Sequence, residues 1–199
     1  MYKRQSLNPL FPDLKVATFR SGNNGFNVDN LVTDQSGKII RDNVWGTLEE
    51  DTYRRDFTIN ALYYCPITGK IKDYNKGLKH IHNKEIVSIG DPDLRFEEDP
   101  VRSLRAIRFC TKLNFKINND IKEAIYKKGH LLSSVSNARL FDEFCKIFLN
   151  GMAEKNFNKL VSFGLNKYLV STNLNGCEFS NQLIIEALRN TAVSYTHLT

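Results

Sequence analysis

The densest group of side chains that could take part in chemistry lies in residues 49–62, which read EEDTYRRDFTINAL. Acidic residues come first, two adjacent arginines and Asp56 follow, and an apolar segment ends the group. The guanidinium of Arg55 presents a planar fork of donors that suits phosphate, and the carboxylate of Asp56 can accept hydrogen bonds from sugar hydroxyls or bind a cation. The alternative is a solvated turn whose exposed ion pairs contribute little to stability. The pattern alone favours the solvated turn.

A second group occupies residues 97–109, which read EEDPVRSLRAIRF. Arg102, Arg105 and Arg108 recur every third residue, so on an α-helix each lies near the next, rotated by about 60°. They flank the apolar residues of the same segment: Val101, Leu104 and Ile107. At the edge of a buried face these arginines are placed to meet a triphosphate or a base edge, and Asp99 adds an acceptor. The alternative is a helix cap followed by surface arginines, and the pattern does not choose between the two.

Residues 136–143, which read SNARLFDE, predict the beginning of a helix. Ser136 is a suitable N-cap residue, and acidic residues follow in the first turns. A structural role is the favoured interpretation of this segment, and Arg139 could in addition brace neighbouring loops.

Metal-binding patterns are weak in this sequence. The four cysteines contain no CxxC pair, so they predict neither a zinc site nor a disulfide framework. His80 and His82 form a lone HxH in a polar stretch without cysteines or carboxylates nearby. Surface histidines are therefore favoured over a metal site.

The composition is typical of a globular protein. The 199 residues can form one large domain or two small ones, and 41% of them are hydrophobic. No segment approaches the roughly 20 apolar residues of a membrane span, and no signal peptide is visible, so we expect a cytoplasmic protein without membrane contact. The net charge of +6 favours polyanionic partners, because lysine and arginine release counterions when they neutralise phosphates. No feature of the sequence indicates oligomerisation.

The elements that must position these groups change character along the chain. The first half predicts short strands at 14–20, 59–64, 70–74 and 85–89, with a turn at 66–69 and a glycine- and asparagine-rich loop ending near Gly37. The second half predicts helices at 101–113, 118–128, 136–149, 153–163 and 181–189. Asp99 is the expected N-cap of the first of these helices, and Pro100 suits its first turn.

These elements predict an α+β protein with two parts. Residues 14–92 form a β-rich head, and residues 93–190 form a helical neck and body. Residues 1–13 and 191–199 look foreign, like remnants at the edges of an assembled fragment, and we expect the natural protein to continue in both directions.

Three stretches carry a resemblance to a known family: RRDFTINALYY at 54–64, IGDPDLRFEEDPVRSLRAIRF at 89–109 and ARLFDEF at 138–144. In order and spacing they resemble the bacterial poly(A) polymerase branch of the class II tRNA nucleotidyltransferase/poly(A) polymerase family. The likeness runs from about Val16 to Leu165. The segment IRDNVWGTLEED at 40–51 favours poly(A) polymerases over the CCA-adding enzymes of the same family. The resemblance implies an incomplete nucleotidyltransferase head and an enzyme that adds AMP from ATP to RNA 3′ ends without a template.

The resemblance also implies roles for the two central groups. Arg55 would contact the incoming ATP, and Asp56 would engage its ribose 2′-hydroxyl or support the active centre as a catalytic residue. Asp99 and Arg102 would read the Watson–Crick edge of the base, so that the protein itself acts as the template.

Five further residues match the family's motifs less directly. Arg105 and Arg108 would hold phosphates or keep the base-reading pair in place. Asp73 and Gly77 match a looser motif that is taken as a hinge between head and neck. Arg139 matches a motif that steadies the neck.

The chemistry implied by the resemblance is phosphoryl transfer with two Mg²⁺ ions. Family members carry a GxVRD loop and a DxD pair on the head, and neither occurs here, so we expect this fragment to be inactive. Asp91-Pro92-Asp93 has the letters of the pair, but it follows the last predicted strand in a polar turn and is rejected. The family commonly has a carboxylate directly before the VATFR strand, where this sequence has Lys15. Asp13 could substitute, this branch could do without that acid, or the metal site could be altered.

The sequence therefore predicts a template-independent RNA adenylyltransferase that uses ATP. The alternative in the same class is a CCA-adding enzyme, which would also accept CTP. The alternatives from other classes are a non-catalytic RNA-binding relative and a basic scaffold protein that binds carboxylates.

Overall fold

The structure is a computed structural model of the chain. It describes residues 47–65, 68–170 and 182–189 with their side chains, and the backbone alone at 4–6, 15–18, 26–29, 32–33, 39–41, 44–46, 173–174, 177–178, 181 and 190–195. The chain divides into two compact units, Met1–Gly90 and Asp91–Thr199. Among the described residues, no helix is long and apolar enough to cross a bilayer.

The first unit contains short strands and two short helices. The strands are β1 Arg4–Ser6, β2 Lys15–Thr18, β3 Phe26–Asp29, β4 Val32–Thr33, β5 Ile39–Arg41, β6 Val44–Gly46, β7 Leu62–Tyr64, β8 Ile71–Asp73 and β9 Glu85–Ile86. The helices are α1 Leu48–Tyr53 and α2 Gly77–His82, and a 3₁₀ turn covers Thr58–Asn60.

A four-stranded sheet in the order β1-β2-β7-β8 organises this unit. Strand β2 runs parallel to β7 with Ala17 opposite Tyr63, and β7 and β8 form an antiparallel hairpin with Leu62 opposite Asp73. Strand β2 lies inside the strand predicted at 14–20, and the hairpin confirms the predicted pair at 59–64 and 70–74. Strand β1 pairs with β2 and falls within the residues that we assigned to a foreign edge.

The predicted loop before Gly37 is partly wrong, because it contains β3 and β4. Strand β3 pairs with β6, and β4 pairs with β5, both antiparallel. The glycines and asparagines suggested turns throughout the segment, while the alternating apolar residues Phe26, Val28 and Val32 support short strands.

Helix α1 was not predicted, although its capping residues are visible in the sequence. The Oγ1 of Thr47 accepts from the backbone N–H of Glu50 at 3.2 Å, and the Oε2 of Glu50 accepts from the N–H of Thr47 at 2.6 Å. This reciprocal capping box satisfies two donors that a helix end otherwise leaves unpaired. It fixes the helix immediately before the arginine pair of the first group.

The second unit is mainly helical. Its helices are α3 Pro92–Glu98, α4 Val101–Leu113, α5 Asn119–Lys128, α6 Asn137–Phe148, α7 Ala153–Ser162 and α8 Asn181–Tyr195. The short strands are β10 Lys116–Ile117, β11 Asn173–Leu174 and β12 Cys177–Glu178, and 3₁₀ turns cover Gly129–Ser134 and Asn166–Tyr168. The five predicted helices are confirmed as α4 to α8, and with the sheet of the first unit they confirm the α+β class.

Helix α3 was missed, because Asp91-Pro92-Asp93 was interpreted as a polar turn. Asp91 is in fact the N-cap residue, its side chain accepts from the N–H of Asp93 at 3.0 Å, and Pro92 is the first helical residue. Asp and Pro in these positions form a common helix start. The two carboxylates thus belong to a helix N-terminus.

Helix α4 lies at the centre of the second unit and packs against α3, α6 and α7. Its apolar row is buried, as predicted from the spacing of Val101, Leu104 and Ile107. The buried residues of the neighbouring elements complete the core: Ile121, Ile125, Leu132, Ile147, Phe157 and Leu160. Burial of this row fixes the rotation of α4 and therefore the directions in which its arginines leave the helix.

Candidate nucleotide-binding residues in two units

The first group of charged residues forms a network of hydrogen bonds and ion pairs around one buried carboxylate. Asp51 is 2% exposed, and its Oδ1 accepts from the Nε of Arg54 at 2.5 Å. Its Oδ2 accepts from the Nη2 of Arg55 at 2.9 Å and from the hydroxyl of Tyr63. A solvated turn does not fit this geometry, so that alternative is wrong for residues 51–55.

The protonation of this network follows from its charges. Burial by itself raises the pKa of Asp51, but the hydrogen bond from Tyr63 and the guanidiniums of Arg55 and Arg54 outweigh it and hold the pKa below its usual value. Burial and the neighbouring carboxylate raise the pKa of Tyr63 above its usual value. At neutral pH Asp51 is therefore an anion, and Tyr63 stays protonated and donates a hydrogen bond to it.

Arg55 has further contacts that fix the whole side chain. Its Nη1 donates to the backbone carbonyl of Asn60 at 2.9 Å, and its guanidinium lies 5.1 Å from the centroid of the Tyr63 ring. The side chain is 24% exposed. Arg55 thus holds the turn after α1, and its side chain is only partly exposed to solvent.

Asp56 is buried and holds the 3₁₀ turn that follows it. Its Oδ1 accepts from the backbone N–H of Phe57 at 2.8 Å and from the Nδ2 of Asn60 at 3.0 Å. Its carbonyl accepts from the N–H of Ile89 at 3.1 Å. The structure therefore gives Asp56 a positioning role inside the first unit, next to the arginine that precedes it.

Asp73 and Gly77 fix the beginning of α2 in the first unit. The carboxylate of Asp73 accepts from the N–H of Gly77 at 2.8 Å, of Leu78 at 3.0 Å and of Asn75 at 3.2 Å. A Cβ on Gly77 would lie 2.4 Å from the carbonyl oxygen of Thr58, so only glycine permits this approach. Asp73 thus caps the beginning of α2, and Gly77 allows the helix to pack closely against the backbone of Thr58.

His80 is more enclosed than the predicted surface histidine. It is half-buried, and its Nδ1 lies 2.8 Å from the Oγ1 of Thr58, while His82 is exposed. In the part of the chain whose side chains are described, no three His, Cys, Asp or Glu side chains gather as a metal site. Asp13 lies outside the described residues.

The stability of the first unit should depend on the charge of His80. Burial lowers the pKa of His80, so the folded state binds the proton less readily than the unfolded chain, whose histidines titrate near pH 6.5. The stabilising contribution is therefore present above that pH and is lost as the pH falls through the lower pKa of the folded state. We expect the melting temperature to fall between pH 7 and pH 5, and to fall less in His80→Gln.

His82→Gln is the matched control, because His82 is exposed two residues away on the same helix. Thermal unfolding of the three proteins over this pH range measures the effect. Identical pH profiles for the parent and His80→Gln would contradict the assignment.

In the second unit, Asp99 joins the end of α3 to the start of α4. Its N–H donates to the carbonyl of Arg95 at 3.2 Å, and its Oδ1 accepts from the N–H of Val101 at 3.2 Å. Helix α4 begins at Val101 after Pro100, so Asp99 lies one residue further from the helix than predicted but still satisfies one of its first donors. Its Oδ2 accepts from the Nη2 of Arg139 at 2.7 Å, which ties α6 to this junction.

Arg102 is held one turn into α4. Its Nη1 donates to the carbonyl of Arg95 at 3.1 Å and to the Oε2 of Glu98 at 3.1 Å, and Arg95 pairs with the same carboxylate oxygen at 2.7 Å. The N–H of Arg102 donates to the carbonyl of Asp99 at 3.1 Å. Asp99, an acceptor, and Arg102, a cationic donor, thus lie on the same turn of the chain. Arg95 and Glu98 were missed with α3, although their spacing of three residues is that of neighbours on a helix face.

The remaining arginines of α4 differ in their surroundings. The Nε of Arg108 lies 3.6 Å from the Oε2 of Glu143, a buried carboxylate of α6 that also accepts from Lys146 at 2.8 Å. The guanidiniums of Arg108 and Arg105 lie 4.7 Å and 5.9 Å from the ring of Phe109. The predicted row is therefore divided: Arg108 joins α4 to α6, whereas Arg102 belongs to the junction at Asp99.

Two family models match the chain. One is described as "Poly A polymerase head domain" and covers residues 3–87, and the other as "Probable RNA and SrmB- binding site of polymerase A" and covers residues 114–172. Poly(A) polymerase I of Salmonella typhi is 38% identical over 89% of this chain and 40% of its own length. The chain belongs to the tRNA nucleotidyltransferase/poly(A) polymerase family.

Other relatives extend the comparison. Poly(A) polymerase I of Haemophilus influenzae is also 38% identical over 89% of the chain, and the CCA-adding enzyme of Ligilactobacillus salivarius is 40% identical over 61% of it. The crystal structure of Bacillus stearothermophilus CCA-adding enzyme in complex with CTP has a TM-score of 0.58 and 35% identity, and the likeness covers 70% of this chain and 34% of that one. The chain spans about two fifths of the length of the poly(A) polymerases that it matches, 40% of the first and 41% of the second.

Proposed function

We propose that this chain is the nucleotide-selecting part of a template-independent adenylyltransferase that adds AMP from ATP to RNA 3′ ends. The observation that carries the proposal is the junction of α3 and α4, where Asp99 and Arg102 are held in fixed positions by Arg139, Glu98 and the carbonyl of Arg95. Groups that are held before the ligand binds lose little freedom on binding, which favours selective recognition. The similarity to poly(A) polymerases over 89% of the chain supports the adenylyl specificity.

The chemistry of the pair suits a base edge. The Watson–Crick edge of adenine offers an amino donor beside a ring-nitrogen acceptor, so a carboxylate such as that of Asp99 can accept from the first. The guanidinium of Arg102 can donate to the second. In the described part of the chain, both side-chain hydrogen bonds of Arg102 use Nη1, so neither of them occupies Nη2.

The other candidate residues differ in their contacts. Arg108 keeps α4 in place through Glu143, which favours its positioning role over a phosphate contact. Arg105 is half-buried beside Phe109 and is proposed to meet the phosphates. Arg55, whose side chain is partly exposed, is proposed to contact ATP, while Asp56 orients the turn that carries Arg55 or meets the ribose.

Mg²⁺, which the family implies, does not fit the residues whose side chains are described, because no three potential ligands gather there. The share of this chain is to bind and orient ATP and the RNA end, which can supply a large part of the rate enhancement of a phosphoryl transfer.

A CCA-adding activity is the second candidate. It is favoured by the similarity to solved CCA-adding enzymes, among them a complex with CTP. Cytosine presents the same order of amino donor and ring-nitrogen acceptor as adenine, so the Asp99–Arg102 pair by itself admits both bases. The protein encoded by the complete reading frame should incorporate ATP, and not CTP, into both a generic RNA and a tRNA without its terminal CCA. Incorporation of CTP into the tRNA would overturn the choice, and binding without any incorporation would identify a non-catalytic relative.

Arg102→Ala should weaken ATP binding by about 1.5–3 kcal/mol, the range for a hydrogen bond that involves a charged group. The free energy of unfolding should change less, by about 1 kcal/mol, because the lost hydrogen bonds to Glu98 and the carbonyl of Arg95 are modest. Isothermal titration with ATP and urea unfolding of the same preparations measure both quantities.

Arg102→Lys is the matched variant, since it keeps the charge but lacks the planar fork of donors. It should bind ATP as weakly as Arg102→Ala or nearly so. Equal ATP affinity in the parent and in both variants would defeat the base-reading role.

A further inference from the structure

Two aromatic side chains meet on the surface of the second unit. The rings of Tyr126 on α5 and Phe163 at the end of α7 have centroids 5.4 Å apart and are tilted by 38°. Tyr126 is 65% exposed, and Phe163 is half-buried beneath it. The end of α5 is fixed against the segment after α7, because a Cβ on Gly129 would lie 2.7 Å from the side chain of Leu165. The ring of Tyr126 is therefore exposed to solvent and packs against Phe163 on its other side.

Each aromatic residue has a lysine four residues earlier on its helix: Lys122 on α5 and Lys159 on α7. Residues four apart lie on the same face of a helix, so each ammonium group lies on the side of its aromatic ring. Burial raises the pKa of the Cys110 thiol on α4, and the charges of both lysines oppose this rise. Lys159 is exposed, and Lys122 is half-buried with its Nζ donating to Asn119 at 3.0 Å.

We propose that Lys122, Tyr126, Lys159 and Phe163 form a platform for single-stranded RNA. One base stacks on the exposed ring of Tyr126, which Phe163 supports, and the two ammonium groups meet the adjoining phosphates. Exposed aromatic rings beside cations are the arrangement by which proteins bind single strands with little sequence preference. This inference rests on the proposed function, which makes an RNA strand the substrate, and it specifies where the strand lies on the chain.

Two further observations favour RNA over a protein partner. The platform lies within residues 114–172, which match the model described as a probable RNA-binding site, and the chain carries a net charge of +6. Glu123 opposes the cations, because it is exposed next to Lys122 and three residues before Tyr126. Its carboxylate should repel phosphate, so Glu123→Gln should bind RNA more tightly than the parent.

The stacking contact is tested with a fluorescein-labelled oligoadenylate and the complete chain, by fluorescence anisotropy without ATP. Tyr126→Ala should raise the dissociation constant about tenfold, as expected for the loss of one stacked base, and Tyr126→Phe should leave it unchanged. Phe141→Ala is the matched control, because Phe141 is 63% exposed on α6 and is expected to leave RNA affinity unchanged. Because Tyr126 is so exposed, its alanine variant should melt close to the parent.

The electrostatic contact is tested by the salt dependence of the same binding. Lys159→Gln should reduce the slope of the logarithm of affinity against the logarithm of salt concentration by about 0.7, the value for one phosphate of a single strand. Tyr126→Ala should leave that slope unchanged. Lys127→Gln is the control with the same change of net charge, because Lys127 already pairs with Asp93 at 3.4 Å, and it should alter the slope less.

The outcomes separate the platform from the proposed function. Unchanged RNA affinity in Tyr126→Ala, an equal loss in Phe141→Ala, or equal affinity for a duplex of the same length would overturn the platform and leave this face to a protein partner. Adenylyl transfer by the complete protein would in that case still stand. Loss of RNA affinity in Tyr126→Ala with no transfer by the protein encoded by the complete reading frame would support the platform and reject the enzyme.

Discussion

Gly77→Ala should lower the free energy of unfolding by about 3 kcal/mol or more, within the range for overpacking in a well-packed site. The added Cβ would lie 2.4 Å from the carbonyl oxygen of Thr58 and 3.1 Å from its carbonyl carbon. Thr58 cannot move away readily, because its N–H donates to Val87 at 3.0 Å and its carbonyl accepts from Ala61 at 3.1 Å. Its hydroxyl is also hydrogen-bonded to His80. The added Cβ therefore clashes with the backbone of Thr58, which several hydrogen bonds hold in place.

Gly129→Ala is the matched control for this prediction. Its Cβ would lie 2.7 Å from the Cδ2 of Leu165, which is the end of a side chain and can turn away. Leu78→Ala, at an exposed position directly after Gly77, tests the sensitivity of α2 to substitution. Urea unfolding of the three variants should show by far the largest loss for Gly77→Ala. A loss no larger than that of Gly129→Ala would show that the backbone at Thr58 relaxes.

The long helices and their buried faces could be predicted from the sequence. The spacing of Val101, Leu104 and Ile107 indicated the face of α4 that the structure buries. Periodicity identifies a helix when it continues over several turns, as it does in α4 to α8. The short helices α1, α2 and α3 offer too few turns for a period, so only their caps could have revealed them.

The partners of the charged residues could not be predicted in the same way. Asp51 and Tyr63 are 12 residues apart in the chain, Asp99 and Arg139 are 40 apart, and a sequence pattern does not specify which distant residues meet. The resemblance to the family identified the candidate residues. The structure adds that Asp56 is buried and that Arg108 lies beside Glu143, contacts that favour the supporting roles that the resemblance left open for both residues.

The same network carries the second large prediction: Asp51→Asn should lower the free energy of unfolding by about 3–5 kcal/mol, as when one partner of a buried ion pair is removed. The amide would place a donor against Arg54, Arg55 or Tyr63, all of which donate to Asp51. It would also leave two guanidiniums without their counter-ion at the end of α1. Chemical denaturation monitored by circular dichroism measures the loss.

Two controls and a pH series identify the carboxylate charge as the cause. Tyr63→Phe removes one hydroxyl and should cost about 1 kcal/mol, and Glu49→Gln, at an exposed position of the same helix, should change little. Because the partners of Asp51 lower its pKa, its stabilising contribution is present above the unfolded value of about 4 and is lost as the pH falls through the lower folded value. The stability difference between the parent and Asp51→Asn should therefore be constant near neutral pH and shrink below about pH 4. A difference that does not depend on pH would mean that Asp51 acts through its shape and hydrogen bonds, and that its charge contributes nothing to the arginine network.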